Sequence, residues 1–106
     1  MKNTFKYDSR LGIPLPVLTE SWENLEPGEQ ERILGEWETI RGKIPSRVKE
    51  IEIQIEKKQQ SLDEEENFVQ SCRLNSEIAD LASIINDLWI WYRESNGLSV
   101  HSRLHA

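Results

Sequence analysis

The chain has a single cysteine, Cys72, and not one glycine or proline between Ser46 and Asn96. One thiol excludes an internal disulfide and suits a reducing compartment, so a cytoplasmic location is expected. The opening MKNTFKYDSR lacks the apolar stretch of a signal peptide. No apolar run is long enough to cross a bilayer, and no membrane association is expected. Excess positive charge is also missing: the formal net charge is −6, with Lys and Arg dispersed among acids. Nucleic-acid affinity rests on cations that neutralise phosphates, so no nucleic-acid partner is expected. At 106 residues the chain holds one domain with a modest core.

All four prolines, Pro14, Pro16, Pro27 and Pro45, lie in the first half. Each disfavours helix at its predecessor, so residues 1–26 are expected to form an extended arm. The Pro-x-Pro pair of "LGIPLPV" could fit a partner's aromatic groove. The preferred reading is a strap on the domain's own core, because Leu11, Ile13, Leu15, Val17 and Leu18 need cover.

A helical domain is expected over 27–96, with helices near 27–42, 45–61 and 65–95 and a flexible tail at 97–106. Pro27 suits a first helical position and Glu29 the positive end of the helix dipole. Ile33, Trp37, Ile40 and Ile44 form a 4-3-4 stripe. Gly35 points away from it, at a cost of about 1 kcal/mol relative to Ala. It would mark a crossing of the arm or nothing. Gly42 should stop this helix and Pro45 open the next.

Ser46–Asn96 could form one helix of about 75 Å at 1.5 Å per residue, or a hairpin. Ile44, Val48, Ile51, Ile55 and Leu62 keep one heptad seam, interrupted by Lys58. Leu74, Ile78, Leu81, Ile85, Leu88 and Tyr92 keep a second seam, out of phase with the first. Continuing the first would bury Ser76, Ala79, Ser83 and Asn86, so the slip predicts a turn, placed within residues 61–67. Ser61-Leu62-Asp63-Glu64 has capping-box form and is read as the start of the third helix.

Apolar side chains from Leu74 to Tyr92 cover about half the circumference of that helix. Such breadth suits contact with two neighbours. Ile90 falls on the other side with Ser83 and Asp87, where no internal neighbour is expected. The expected fold is therefore all-α: a three-helix bundle built on an antiparallel hairpin, with the N-terminal arm.

The stretch "FVQSCRLNSEIADL" resembles the UVR-type helical hairpin of nucleotide-excision-repair and related bacterial proteins. Phe68, Ser71, Cys72, Leu74, Ile78 and Leu81 fall at that family's spacings, and Ile51, Glu52 and Ile55 stand in its first helix. The resemblance spans residues 51–81. Val69 replaces the usual Glu, Asn75-Ser76 replaces Arg-Asp, and about four extra residues separate Leu62 from Phe68. The resemblance implies an interaction module in which one hairpin pairs with another. In such packing Ser71 and Cys72 would let the helices approach, while Phe68 would seal the turn.

Chemistry is sparse. Cys72 lies mid-helix with no sign of a histidine partner, and is read as a packed small residue. Ser46-Arg47-Val48-Lys49 has a Ser-x-x-Lys form without the companion motifs, so Ser46 is a helix-start residue. His101 and His105 lack a third metal ligand. Glu77 and Asp80 form an ExxD, as in the all-α magnesium-dependent nucleotide pyrophosphohydrolases. The acids Asp63–Glu66 do not supply the matching EExxE, because Asn67, Phe68 or Val69 stands three positions on.

No catalytic, cofactor-binding or metal-binding residue is assigned, and no cofactor is expected. The reading favoured is a small non-catalytic protein–protein interaction or adaptor protein, with self-association among its modes. Trp89, Ile90 and Trp91 are the expected partner-binding residues, since Trp is enriched at binding hot spots. The competing reading is the pyrophosphohydrolase-like enzyme.

Overall fold

The computed structural model describes residues 4–93, most of them helical. In chain order these are strands β1 (Phe5–Asp8) and β2 (Ile13–Pro16), a 3-10 turn at Trp22–Asn24, and helices α1 (Pro27–Arg41), α2 (Ile44–Glu64) and α3 (Phe68–Arg93). The expected end of the third helix at 95, the tail at 97–106 and both histidines lie outside the described residues.

The N-terminal segment is extended, but it is a β-hairpin rather than a simple arm. Phe5 pairs with Pro16, Lys6 with Leu15, Tyr7 with Pro14 and Asp8 with Ile13, antiparallel. Val17 N–H donates to the Thr4 carbonyl, so hydrogen-bonded pairs recur at alternate positions. Pro14 and Pro16 therefore fall at non-bonded pairs, where a missing N–H costs no ladder bond. Asp8 closes the turn: its carboxylate accepts the Leu11 N–H at 2.8 Å, and its carbonyl accepts the Gly12 N–H at 2.7 Å. Gly12 has φ of +79°, and a Cβ there would overlap the Arg47 guanidinium. Arg47 is held in place because its Nε donates to the Leu11 carbonyl at 2.8 Å.

In α1, Ile33 and Trp37 are buried and Ile40 partly so, as the stripe predicts. On its outer side Arg32 bridges Glu29 and Glu36 and donates to the Thr4 hydroxyl at 2.9 Å. The hydrogen bond to Glu29, aided by the charges of Glu29 and Glu36, raises the Arg32 pKa from its ordinary value. Nothing stands within 4 Å of a Cβ at Gly35, so no strand crosses there. Gly42 ends α1 in a right-handed conformation, φ −63°. Two residues later α2 begins at Ile44, with Pro45 in its first turn.

α2 and α3 form an antiparallel hairpin with the turn at 65–67, inside the expected window. The proposed capping box is not the cap. Ser61–Glu64 is the last turn of α2, because Leu62 continues the seam and holds the helix on. Asn67 caps α3 instead: its side-chain oxygen accepts the Gln70 N–H at 3.0 Å, and its carbonyl accepts the Ser71 N–H.

The core sits at the end of the hairpin away from that turn. Leu11, Ile13, Ile33, Trp37, Ile44, Val48, Ile51 and Leu88 make one buried cluster. In the distal half, Ile55, Leu62, Leu74 and Ile78 are only half-buried, since α2 and α3 have just each other there. The molecule is correspondingly elongated, 59 × 25 × 24 Å. The coarse helical reading holds, but α1 meets the hairpin only near its base and a small two-stranded sheet completes the cover.

Two glycines should respond oppositely to alanine. Gly12→Ala meets a left-handed φ and the Arg47 side chain, and should destabilise by about 1–3 kcal/mol. Gly35→Ala meets open space in a helix and should stabilise by about 0.5–1 kcal/mol. Denaturant melts of both variants check this. In the same assay Leu88→Ala should cost about 2–5 kcal/mol as a full core truncation, and Leu62→Ala clearly less. Equal costs would mean that the distal seam is covered as well as the base.

Candidate interaction surfaces

At the base, the expected partner residues divide between packing and exposure. Trp91 meets Trp37 edge-to-face, ring centroids 5.5 Å apart, and Trp89 meets Tyr92 similarly at 5.2 Å. Both tryptophans are half-buried against the core cluster. Arg41, at the end of α1, stacks on the Tyr92 ring and donates to the Tyr92 carbonyl at 2.8 Å. A cation thus sits on a carbonyl in the last described turn of α3, where the dipole favours it. Trp37 Nε1, buried in this junction, finds no acceptor among the described residues.

Ile90 is 38% exposed. Its side of α3 is not empty, however. Arg10, at the tip of the β-hairpin, donates to Asp87 Oδ2 at 2.8 Å and to Ser83 Oγ at 3.0 Å. The expectation of no internal neighbour at Ser83 and Asp87 fails because the segment read as an arm folds back and carries Arg10 across. Ile90 therefore lies beside a charged clasp rather than on a bare face.

Among the described residues the opposite end of the hairpin, where the sequence suggests no surface, carries the greatest apolar exposure. Phe68 is 80% exposed and Val69 69%. Phe68 does not seal the turn. Counting back from Leu74 in 3-4 steps, the α3 seam passes through Ser71 and Asn67, leaving Phe68 and Val69 off it. That phase was legible in the sequence. Cys72 is likewise exposed rather than packed. Beside the apolar pair lie Asp63, Glu64, Glu65 and Glu66, and no Lys or Arg stands between Lys58 and Arg73. Lys58, which interrupts the α2 seam, reaches Glu77 of α3 at 3.0 Å.

That pairing engages half of the ExxD. Among the described residues no group of three or more His, Cys, Asp or Glu side chains gathers as a metal site. A cavity of about 110 Å³ lies between α1 and the segment that follows β2, lined by Val17, Leu18, Leu25 and Ile33 with Thr4 and Glu29. Small-molecule sites are typically about 300–1,000 Å³. No described helix is long and apolar enough to cross a membrane. Comparison with protein-family models, with curated proteins and with solved structures finds no match for this chain.

The β-hairpin should be held by burial more than by its clasp. Leu11→Ala should cost about 2–5 kcal/mol. Arg10→Ala should cost under about 1 kcal/mol, because the Arg10–Asp87 pair is well exposed. Melting curves at low and high salt separate the two contributions. A large, salt-sensitive loss in Arg10→Ala would reverse their order.

Proposed function

We propose that this chain is a small non-catalytic interaction protein of the adaptor kind. The observation that carries the reading is apolar exposure at both ends of one helix. Phe68 and Val69 open α3 at the tip, and Ile90 lies near its other end at the base. Val69 and Ile90 are roughly 32 Å apart at 1.5 Å per residue. A single patch would suffice for binding one partner; two patches this far apart on a rigid element allow two partners to be held at once. The base patch is Ile90 with the outer edges of Trp89 and Trp91, which the aromatic contacts below hold in place. The likeness of residues 51–81 to the UVR-type hairpin implies the same class of function, although Phe68 and Cys72 are exposed here and do not pack as that likeness implies.

The test is a quantitative pull-down from a lysate of the native cell with wild type, Ile90→Lys and Phe68→Ser. A charge placed in an apolar contact must be desolvated, so Ile90→Lys should weaken the base contact by several kcal/mol, about 100-fold or more. Each variant should lose a different subset of partners while keeping its helicity and melting temperature. Self-association, followed by sedimentation, would register as loss of the chain's own copy. Partner sets unchanged in both variants would end the adaptor reading. Magnesium-dependent pyrophosphate release from nucleotides, abolished by Glu77→Gln, would replace it with the enzyme.

A further inference from the structure

We infer that the tip of the α2–α3 hairpin docks into an apolar pocket with a basic rim on another protein. This rests on the interaction reading and specifies the partner at one of its two ends. The apolar element is Phe68 with Val69, adjacent in the first turn of α3 and exposed at 80% and 69%. Neither contributes to the core cluster. The charged element is the flank: Asp63, Glu64 and Glu66 are exposed, and Glu65 half-exposed. Glu65 accepts the Asn67 N–H at 3.2 Å, which sets one of these carboxylates against the residue that precedes the apolar pair.

Charge decides among the occupants. A second copy meeting tip to tip would bring two sets of these acids together with no Lys or Arg between Lys58 and Arg73 to offset them. Like-charge juxtaposition of this sort costs several kcal/mol. An anionic lipid surface is repelled by the same acids. A protein pocket edged with Lys or Arg gains from them and accepts the Phe ring. The acids mainly accelerate and orient the encounter, while the ring supplies the lasting contact.

The probe is a leucine-rich amphipathic peptide with lysine flanks, alongside the same peptide with glutamate flanks, each measured by fluorescence anisotropy against the full chain. The lysine-flanked peptide should bind at least about tenfold more tightly. The double substitution Phe68→Ser, Val69→Ser should weaken it by about tenfold or more, with unchanged circular dichroism. The triple substitution Glu64→Gln, Glu65→Gln, Glu66→Gln should narrow the lysine preference and flatten the salt dependence. Ile90→Lys, at the other end, should change neither.

Failure of the lysine-flanked peptide to bind would overturn the inference. So would binding unaffected by the Phe68/Val69 substitutions, which would reveal only attraction to an acidic chain. Phe68-dependent binding to phosphatidylcholine vesicles would assign the tip to a lipid surface instead. Concentration-dependent mass lost in the double variant would assign it to a second copy. If these results fail while Ile90→Lys still loses partners, the interaction reading stands and the tip assignment alone falls.

Discussion

Two antiparallel helices can bury one stripe each, and the rest of this structure follows from where that stripe receives additional cover. Only at the base do the β-hairpin and α1 close over α2 and α3. Among the described residues every buried apolar side chain belongs to that junction, with Ile44, Val48, Ile51 and Leu88 from the hairpin, Ile33 and Trp37 from α1, and Leu11 and Ile13 from the strand side. Burial of such side chains is worth about 1.5–3 kcal/mol each, so stability is concentrated at one end. The distal hairpin is a stalk whose half-buried seam suffices to keep it helical. Its tip is consequently released from any packing duty.

Polar contacts at the junction set geometry rather than stability. Arg10, Arg32, Arg41 and Arg47 each tie a segment to another through a carbonyl, hydroxyl or carboxylate. All sit at the margin of the apolar cluster and remain in contact with water, where ion pairs contribute about 0–1 kcal/mol. Their directional bonds fix which face of the β-hairpin lies on the helices. Lys58 and Glu77 do the same for the stalk, giving a charged residue within the seam a specific partner on the facing helix.

Helical periodicity was the most legible feature of the chain. The two seams, from Ile44 to Leu62 and from Leu74 to Tyr92, and the slip between them predict a turn within residues 61–67, and the turn falls at 65–67. What periodicity does not reveal is the choice between competing local signals. Ser61-x-x-Glu64 and Asn67 both offer caps, and the former loses because Leu62 extends the seam through it. The prolines at 14 and 16 suggest a stiffened arm, yet their alternate spacing is also what an antiparallel ladder tolerates. Asp8 and Gly12 carried the turn signal, and only the Arg47 guanidinium packed against Gly12 shows why a glycine is needed. At the surfaces, helical phase predicts that Ile90 lies off the core, and it is 38% exposed. Its charged neighbour Arg10 is not predicted, because a contact from position 10 to position 87 leaves no mark in either segment.

Exposed apolar residues occur singly on most proteins and need no account. Phe68 and Val69 differ because nothing in the fold asks for them. Aromatic and β-branched residues are weaker helix formers than Ala, Leu or Glu by several tenths of a kcal/mol, so propensity does not select them for the first turn of α3. The cap is supplied by Asn67 and the seam by Leu74 and Ile78. Polar residues at both positions would leave helix, turn and core unchanged and would make the tip more soluble. Ile90 has a partial structural reason, lying between Trp89 and Trp91 beside the Arg10 clasp. The tip has none among the described residues, and two large apolar side chains at the end of the stalk, in a stretch with four carboxylates and no Lys or Arg between Lys58 and Arg73, are what the docking proposal accounts for.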